Sequence, residues 1–327
     1  MIENVSIKHF KSIKDISFPC TRVNVFIGDT NTGKSNILEA LSLFSQGAMD
    51  NRVGNDLLRF DSIAELYFGK DLSDTPIITL DNMSSQLWSP QSNWYELIFT
   101  QRNEKGDTVT KYSFNYDGRE PRVEGTLYQS LIRRYEYRQD TKFGLNHVKH
   151  LQPPFGLNLP GLLANNKGLR EKVAAILRER GVRIIVNNDE NTISTPISKD
   201  EGVEIRLPYR MVSETLRRYI FIYVAIATAE GAITLLFDEP EQNTFPFYTK
   251  HIAEMMALDE KNQYIITSHN EYLLRSLIEK TPANDLSVFI TYTNEDRETQ
   301  VKRMGEEQLR EMLDMDVFFN IDRFLEA

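Results

Sequence analysis

The sequence predicts an α/β fold in which apolar strands end in loops built for chemistry, and three stretches predict it. Val23-Asn24-Val25-Phe26-Ile27 is a short apolar run that stops at Gly28, and an amphipathic pattern (Ile37, Leu38, Ala40, Leu41, Leu43, Phe44) starts after Lys34. Between them, Gly28-Asp29-Thr30-Asn31-Thr32-Gly33-Lys34-Ser35 fits G-x-x-x-x-G-K-[ST] at every specified position. Leu235-Leu236-Phe237 ends in Asp238-Glu239-Pro240-Glu241, and Ile265-Ile266-Thr267 ends in Ser268-His269-Asn270. Strand, polar turn and helix thus recur at least twice around a glycine loop.

Taken in order, residues 2–10 alternate (Ile2, Val5, Ile7, Phe10) and predict an opening strand. Lys11-Ser12-Ile13-Lys14-Asp15 reads as a turn and Ile16-Ser17-Phe18 as the second strand. The third strand enters the glycine loop, and its helix runs to about Phe44. Residues 45–61 are polar and irregular, with Gly47 and Gly54. Residues 63–68, 76–80, 94–101 and 108–116 predict an antiparallel meander, with Glu104-Lys105-Gly106-Asp107 as the turn between the last two. Residues 127–138 read as helical, and Pro153, Pro154 and Pro160 break the chain. Residues 169–180 form an amphipathic helix closed by Gly181. Short strands follow at 182–186, 192–196 and 203–207. Helices at 213–228, 244–258 and 270–278 alternate with strands at 232–237 and 264–267. Late strands at 286–293 and 300–304 and a helix at 306–313 close the pattern.

The residue types state the chemistry. Gly28 and Gly33 let the backbone curl so that successive N–H groups face an anion, and the helix N-terminus adds its positive end. Lys34 then reaches the β- and γ-phosphates and Ser35 offers a hydroxyl to Mg²⁺. Asp238, at a strand end, suits the acid that holds the metal through water. Glu239 stands where a carboxylate polarises an attacking water. His269, delivered by the next buried strand, suits a group that bonds the γ-phosphate and orients that water.

Composition bounds the rest. The 327 residues allow one large domain or two modest ones, and 41% hydrophobic with 26% charged content is ordinary for a full core. No apolar stretch approaches the roughly 18 residues needed to span a bilayer, and residues 1–4 lack the start of a signal peptide. One cysteine, Cys20, forms no internal disulfide, so a reducing cytoplasm is the expected setting and packing its expected role. The net charge of −9 is uneven: residues 122–183 hold twelve Lys/Arg and five acids, a local +7. Within it, Arg133-Arg134-Tyr135-Glu136-Tyr137-Arg138 interleaves cations with rings. That mixture suits nucleic acid, an acidic protein or a plain solvated face.

The motif order resembles the ABC-type ATPases of the SMC/RecF/OLD branch, among their small AAA-family, OLD-like members without a Toprim domain. Ile7-Lys8-His9-Phe10-Lys11-Ser12-Ile13 is similar to their opening strand and turn, residues 28–36 to Walker A, and residues 235–241 to Walker B. Thr267-Ser268-His269 resembles their switch-histidine loop, and Glu241-Gln242-Asn243-Thr244-Phe245-Pro246 stands where small members carry Glu-Ala-His-Leu-x-Pro-like residues. The resemblance implies an ATPase head with a mixed sheet, flanking helices and an antiparallel β-subdomain. Its halves are expected at 1–120 and 205–327, around an inserted, net basic lobe at 121–204. It further implies that residues 28–36, including Asn36, bind ATP with Lys11 and Ser12, that Mg²⁺ sits on Ser35 and Asp238, and that two heads close on ATP. Ser213, in Met211-Val212-Ser213-Glu214-Thr215, stands at the family's signature Ser-x-Gly, with Thr215 in glycine's place. Gln101, ending a strand, is the candidate for the family's metal-contacting glutamine.

Two functions follow from different classes. The first is an ATPase whose head dimerisation gates work on DNA or a partner protein, the lobe at 122–183 being the candidate contact. The second is a nucleotide-gated scaffold with little turnover that holds a separate toxin or nuclease, which Thr215 favours. A built-in nuclease is not expected: Asp314 and Asp316 read as helix-end surface charge.

Overall fold

The computed structural model describes residues 1–45, 57–88, 94–104, 106–119, 122–125, 130–144, 148–200 and 203–326. The chain opens with β1 (Asn4–Phe10), β2 (Ile13–Pro19), β3 (Val23–Gly28) and α1 (Lys34–Ser42). Then come β4 (Ile77–Leu80), β5 (Met83–Trp88), β6 (Tyr95–Gln101), β7 (Thr108–Phe114) and β8 (Arg122–Gly125). β9 (Ile132–Tyr135) precedes α2 (Leu159–Asn165) and α3 (Lys167–Arg178), and β10 (Ile185–Asn187), β11 (Thr192–Asp200) and β12 (Val203–Pro208) follow. The last third runs α4 (Glu214–Ala227), β13 (Thr234–Asp238), α5 (Pro246–Leu258), β14 (Gln263–Thr267) and α6 (Glu271–Lys280). It ends with β15 (Leu286–Thr293), β16 (Thr299–Arg303), α7 (Glu306–Asp314) and α8 (Ile321–Glu326).

Three sheets result among the described residues. A mixed sheet in the order β16-β15-β3-β14-β13-β9 forms the centre. An antiparallel sheet, β2-β1-β4-β5-β6-β7-β8, stands beside it, and β10-β11-β12 form a third. This is the expected α/β head with a mixed sheet and an antiparallel subdomain. Every residue of β3 is buried, as a strand covered on both faces requires. Its alternation divides the core in two: Val23, Val25 and Ile27 pack with α4 and α5, while Phe26 faces the antiparallel sheet with α1.

The parallel register positions the chemistry. Thr267, ending β14, lies opposite Phe26 of β3 on one side and Asp238 of β13 on the other. The carboxyl ends of the three strands therefore form one ledge, and the glycine loop, the Asp238–Glu239 turn and the Ser268–His269 loop leave it side by side.

Four expectations need correction. Residues 63–66 form a short 3₁₀ turn, Ile63–Leu66, where a strand was expected. The strand Met83–Trp88 was not expected, because its polar Ser84, Ser85 and Gln86 hide a segment whose backbone is paired on both sides. Of the helix expected at 127–138, residues 127–129 lie outside the described residues, and Ile132–Tyr135 is a strand at the edge of the central sheet, parallel to β13. Gly47, Gly54 and Lys105 also lie outside them. Nor is 121–204 a separate inserted lobe. β9 belongs to the central sheet, and Leu159, Leu163, Val173 and Leu177 share one apolar core with Phe221 and Phe237.

Several of the lobe's basic residues serve this packing, while others, Lys149, Lys167, Lys172, Arg178 and Arg183 among them, are exposed. Arg133 and Arg134 are buried on β9. Arg170 caps α2 through the Leu163 and Ala164 carbonyls, and Arg180 donates to the Tyr248 hydroxyl at 2.7 Å. Arg138 stacks on Phe155 and pairs with Glu136 at 3.2 Å. A nucleic-acid face built on Arg133, Arg134 and Arg138 is therefore excluded for the first two by burial. Cys20 is packed as expected, and burial pushes its thiol up to about 12. No helix among the described residues is long and apolar enough to cross a membrane.

Phe26 anchors the core between the antiparallel sheet and α1, stacked on Phe289 at 4.8 Å and edge-on to Phe18 at 5.1 Å. Phe26→Ala leaves a cavity there and is expected to cost about 3–5 kcal/mol in urea unfolding. A loss below about 1 kcal/mol would contradict this packing.

Candidate nucleotide site

The glycine loop follows from close packing. A Cβ on Gly28 would lie 2.3 Å from the Thr291 carbonyl oxygen, and one on Gly33 would lie 2.1 Å from Thr299 Oγ1. Gly33 also takes φ 96°, in the left-handed region. Thr32 Oγ1 holds the loop's base, donating to the Asp29 carbonyl at 2.9 Å and meeting Thr291 Oγ1 at 2.8 Å. The tip, Asp29, Thr30 and Asn31, is exposed, and the Asp29 carboxylate accepts from the Thr30 N–H. Lys34 is buried and its ammonium donates to the carbonyls of Gly28 (3.0 Å) and Asp29 (2.6 Å). Burial lowers its pKa to about 8, against the raising effect of Glu239, Asp29 and Asp238.

Two acids face this loop from β13. Asp238 Oδ1 lies 3.4 Å from Ser35 Oγ and accepts from Thr267 Oγ1, while Arg134 Nη2 sits 3.5 Å from Oδ2. Glu239 takes left-handed backbone, φ 46°, uncommon for a residue with a side chain and concentrated at functional turns. Its N–H donates to Thr267 Oγ1 at 3.1 Å, and Oε1 lies 3.3 Å from His269 Nε2. Burial, then the Lys34 charge, hold His269 below its ordinary value, so the imidazole facing Glu239 is neutral near pH 7. Ser35, Asp238, Glu239 and Gln242 line one cleft of about 300 Å³ with Arg59, Glu136 and Arg218.

Ser35 and Asp238 fit Mg²⁺: a hydroxyl and a carboxylate oxygen are hard donors, and this ion takes one or two such groups, with water and phosphate completing its shell. No cluster of three or more His, Cys, Asp or Glu among the described residues offers an all-protein cage. Gln101 does not join them. It pairs with Met83 and Thr108, and Met83 pairs with Leu80, which lies opposite Val5 near the start of β1. The glycine loop lies beyond the other end of β1, so the glutamine assignment fails on topology. The strand end beside Asp238 is that of β9, which delivers Glu136.

Lys11, Ser12 and Asn36 brace the loop. Lys11 binds the buried Glu39 and the Arg59 carbonyl, and Arg59 Nε reaches Glu39 Oε1 at 2.7 Å. Ser12 Oγ accepts from the Asn36 amide and meets Thr299 Oγ1, each at 2.7 Å. Ser213 is exposed at the start of α4, on the outside of the chain's own cleft, and Thr215 Oγ1 donates to the Asn243 carbonyl at 2.9 Å. Sequence reasoning gave Arg134 and Glu136 to a partner-facing stretch and Thr267 only to the histidine loop, and left out Arg59, so it placed none of the four beside the cleft acids. Only Glu39, a charge on the apolar side of α1, signalled that partners such as Arg59 must exist.

Glu241 carries the link between the two strand-end loops. It is 6% exposed, accepts from Ser268 Oγ (2.7 Å) and from the His269 N–H (3.3 Å), and its Oε2 has no hydrogen-bond partner among the described residues. Burial, partly offset by these bonds, raises its pKa to about 7. A folded-state value raised from 4.5 contributes stability below about pH 4.5 that is lost as pH rises through 7. Glu241→Gln should therefore match wild type near pH 4.5 and exceed it by up to about 3 kcal/mol at pH 8. Parallel pH profiles of the two melting temperatures would refute the burial of this charge.

Comparison with known proteins agrees with the geometry. Residues 1–113 match the family model described as AAA ATPase domain, and residues 177–275 match AAA domain, putative AbiEii toxin, Type IV TA system. No curated protein matches the chain. Among solved structures, the Smc head domain with an extended coiled coil from Pyrococcus furiosus, bound to the C-terminal domain of ScpA, is 14% identical over 96% of this chain and 98% of that one, with a TM-score of 0.50. The SMC head domain from Thermotoga maritima is 11% identical over 93% and 99% (TM-score 0.42). The recombination mediator protein RecF with ATP is 12% identical over 93% and 99% (TM-score 0.45). With its glycine loop, Asp-Glu strand end and histidine loop, the chain matches AAA-type domain models over residues 1–113 and 177–275 and shares the fold of the Smc head domain.

Proposed function

We propose that the chain binds Mg-ATP on residues 28–36 and hydrolyses it, and that two copies close on the nucleotide. The observation that carries this reading is the convergence of Lys34, Ser35, Asp238, Glu239 and His269 on one ledge of three parallel strand ends. On binding, Lys34 exchanges the Gly28 and Asp29 carbonyls for phosphate oxygens, and the loop's N–H groups meet the same anion. Mg²⁺ on Ser35 and Asp238 supplies charge neutralisation of the phosphates. Glu239 accepts a proton from the attacking water, and neutral His269 keeps that carboxylate turned toward the γ-phosphate position. Ser213, exposed on α4, is left to meet the nucleotide of a second copy.

The closed pair then gates action on DNA or on a partner protein. The charge the middle stretch offers that partner includes exposed Lys167, Lys172 and Arg178 of α3, with Lys149 and Arg183 nearby in sequence. One observation favours the scaffold reading with slow turnover: Thr215, where the resemblance expects glycine, is pinned to the Asn243 carbonyl, which limits how closely this loop approaches a facing phosphate.

Thermal shift with Mg-ATP tests the binding. Wild type should gain about 2.7 kcal/mol at a hundredfold excess over Kd, and Lys34→Ala should gain nothing while melting normally without nucleotide. An equal shift in both removes the assignment. For closure, Glu239→Gln with Mg-ATP should scatter light as a dimer, and adding Ser213→Arg should return it to the monomer mass. If both keep one mass with nucleotide demonstrably bound, the two-headed arrangement is wrong.

A further inference from the structure

A second cavity, of about 570 Å³, adjoins the Asp238–Glu239 cleft, with Tyr137 and Phe221 as the wall between them, and lies between the 137–143 segment, the first turns of α4 and the β11–β12 edge. It is within the size range of small-molecule sites. Its lining is cationic and aromatic: Arg138, Lys142, Arg210 and Arg217 face a single acid, Asp140. Phe143 and Tyr209 pack with ring centroids 6.3 Å apart, and Phe155 lies beneath the Arg138 guanidinium.

Arg217 decides what belongs there. It is 6% exposed, yet Nε donates to the Val212 carbonyl (3.0 Å) and Nη1 to the Gln139 carbonyl (3.0 Å), and no carboxylate among the described residues lies within ion-pair distance. Glu214, one turn earlier, is engaged by Gln139, Asn243 and Arg218. A buried guanidinium with only neutral acceptors bears a desolvation cost that an anion would offset. Tyr137 lines the same cavity, and its hydroxyl lies out of solvent with no hydrogen-bond partner among the described residues.

We infer that this cavity is a second ligand site, for a small organic anion bearing a flat ring, with the anionic group on Arg217 and the ring among Tyr137, Phe143 and Phe155. Arg217 ties the cavity to the exposed Ser213 loop, because the Val212 carbonyl it holds immediately precedes Ser213. The Gln139 it also holds donates to Glu214 beside Ser213. Ligand binding therefore stiffens the loop offered to a second copy. The inference stands on the cavity's own chemistry and not on the nucleotide reading.

Calorimetric titration of the full chain, carrying Lys34→Ala so that the glycine loop does not report, tests it. The probes are 1-naphthoate and uridine 5′-monophosphate, with neutral 1-naphthalenemethanol and uridine as their uncharged counterparts. At least one anion should bind with Kd below about 1 mM and its neutral counterpart about tenfold more weakly. Arg217→Gln should weaken the anion about tenfold or more. Should that variant fail to fold, the exposed rim changes Arg210→Glu and Thr192→Trp should each weaken it at least about threefold. No binding of either anion up to about 5 mM, equal binding of the neutral counterpart, or wild-type affinity in both rim variants overturns the site.

Discussion

The nucleotide cleft depends on one hydroxyl, that of Thr267. Its backbone is a rung between β3 and β13, and its Oγ1 donates to the Asp238 carboxylate while accepting from the Glu239 N–H. One side chain thus fixes the carboxylate nearest Ser35 and the turn that swings Glu239 toward His269. The strand supplying it is the one between the glycine-loop strand and the acid strand, so sheet order and site geometry are one constraint. Glu241 repeats the logic a turn later, clasping Ser268 and the His269 backbone from the acid side.

Behind the ledge, buried charges are satisfied in pairs rather than avoided. Glu39 on α1 is matched by Lys11 and Arg59, and Arg134 reaches Asp238, Ser42 and the Leu57 carbonyl. Removing one member of such a set leaves an uncompensated charge, which costs far more than the pair contributes. The arrangement makes α1, β1 and β9 rigid with respect to the glycine loop. It also explains why Arg133 and Arg134 do not present their charge to solvent.

The chemistry-bearing turns were legible because each breaks an apolar run with residues that have no packing reason to be there. Gly28, Gly33, Lys34, Asp238, Glu239 and His269 all lie where the sequence implied. What hid was long-range pairing. Arg133 and Arg134 made β9 read as a charged helix, since the acid that accepts Arg134 lies about a hundred residues away in sequence. Gln101 was judged by its place at a strand end, and only the register showed that end to be remote from the cleft. Thr267 carried no signal of its own; a threonine ending an apolar strand is ordinary until its neighbours are known.

The central claim is that Glu239 is the group that takes the proton when ATP is cleaved at this ledge. Single-turnover phosphate release measures it directly: a slight excess of protein is mixed with Mg-ATP, and free phosphate and intact bound ATP are followed together. Wild type should convert its bound ATP to ADP and phosphate, and Glu239→Gln should bind the same amount while cleaving it at least about a hundredfold more slowly. Cleavage at the wild-type rate by Glu239→Gln, with equal nucleotide bound, would contradict the account.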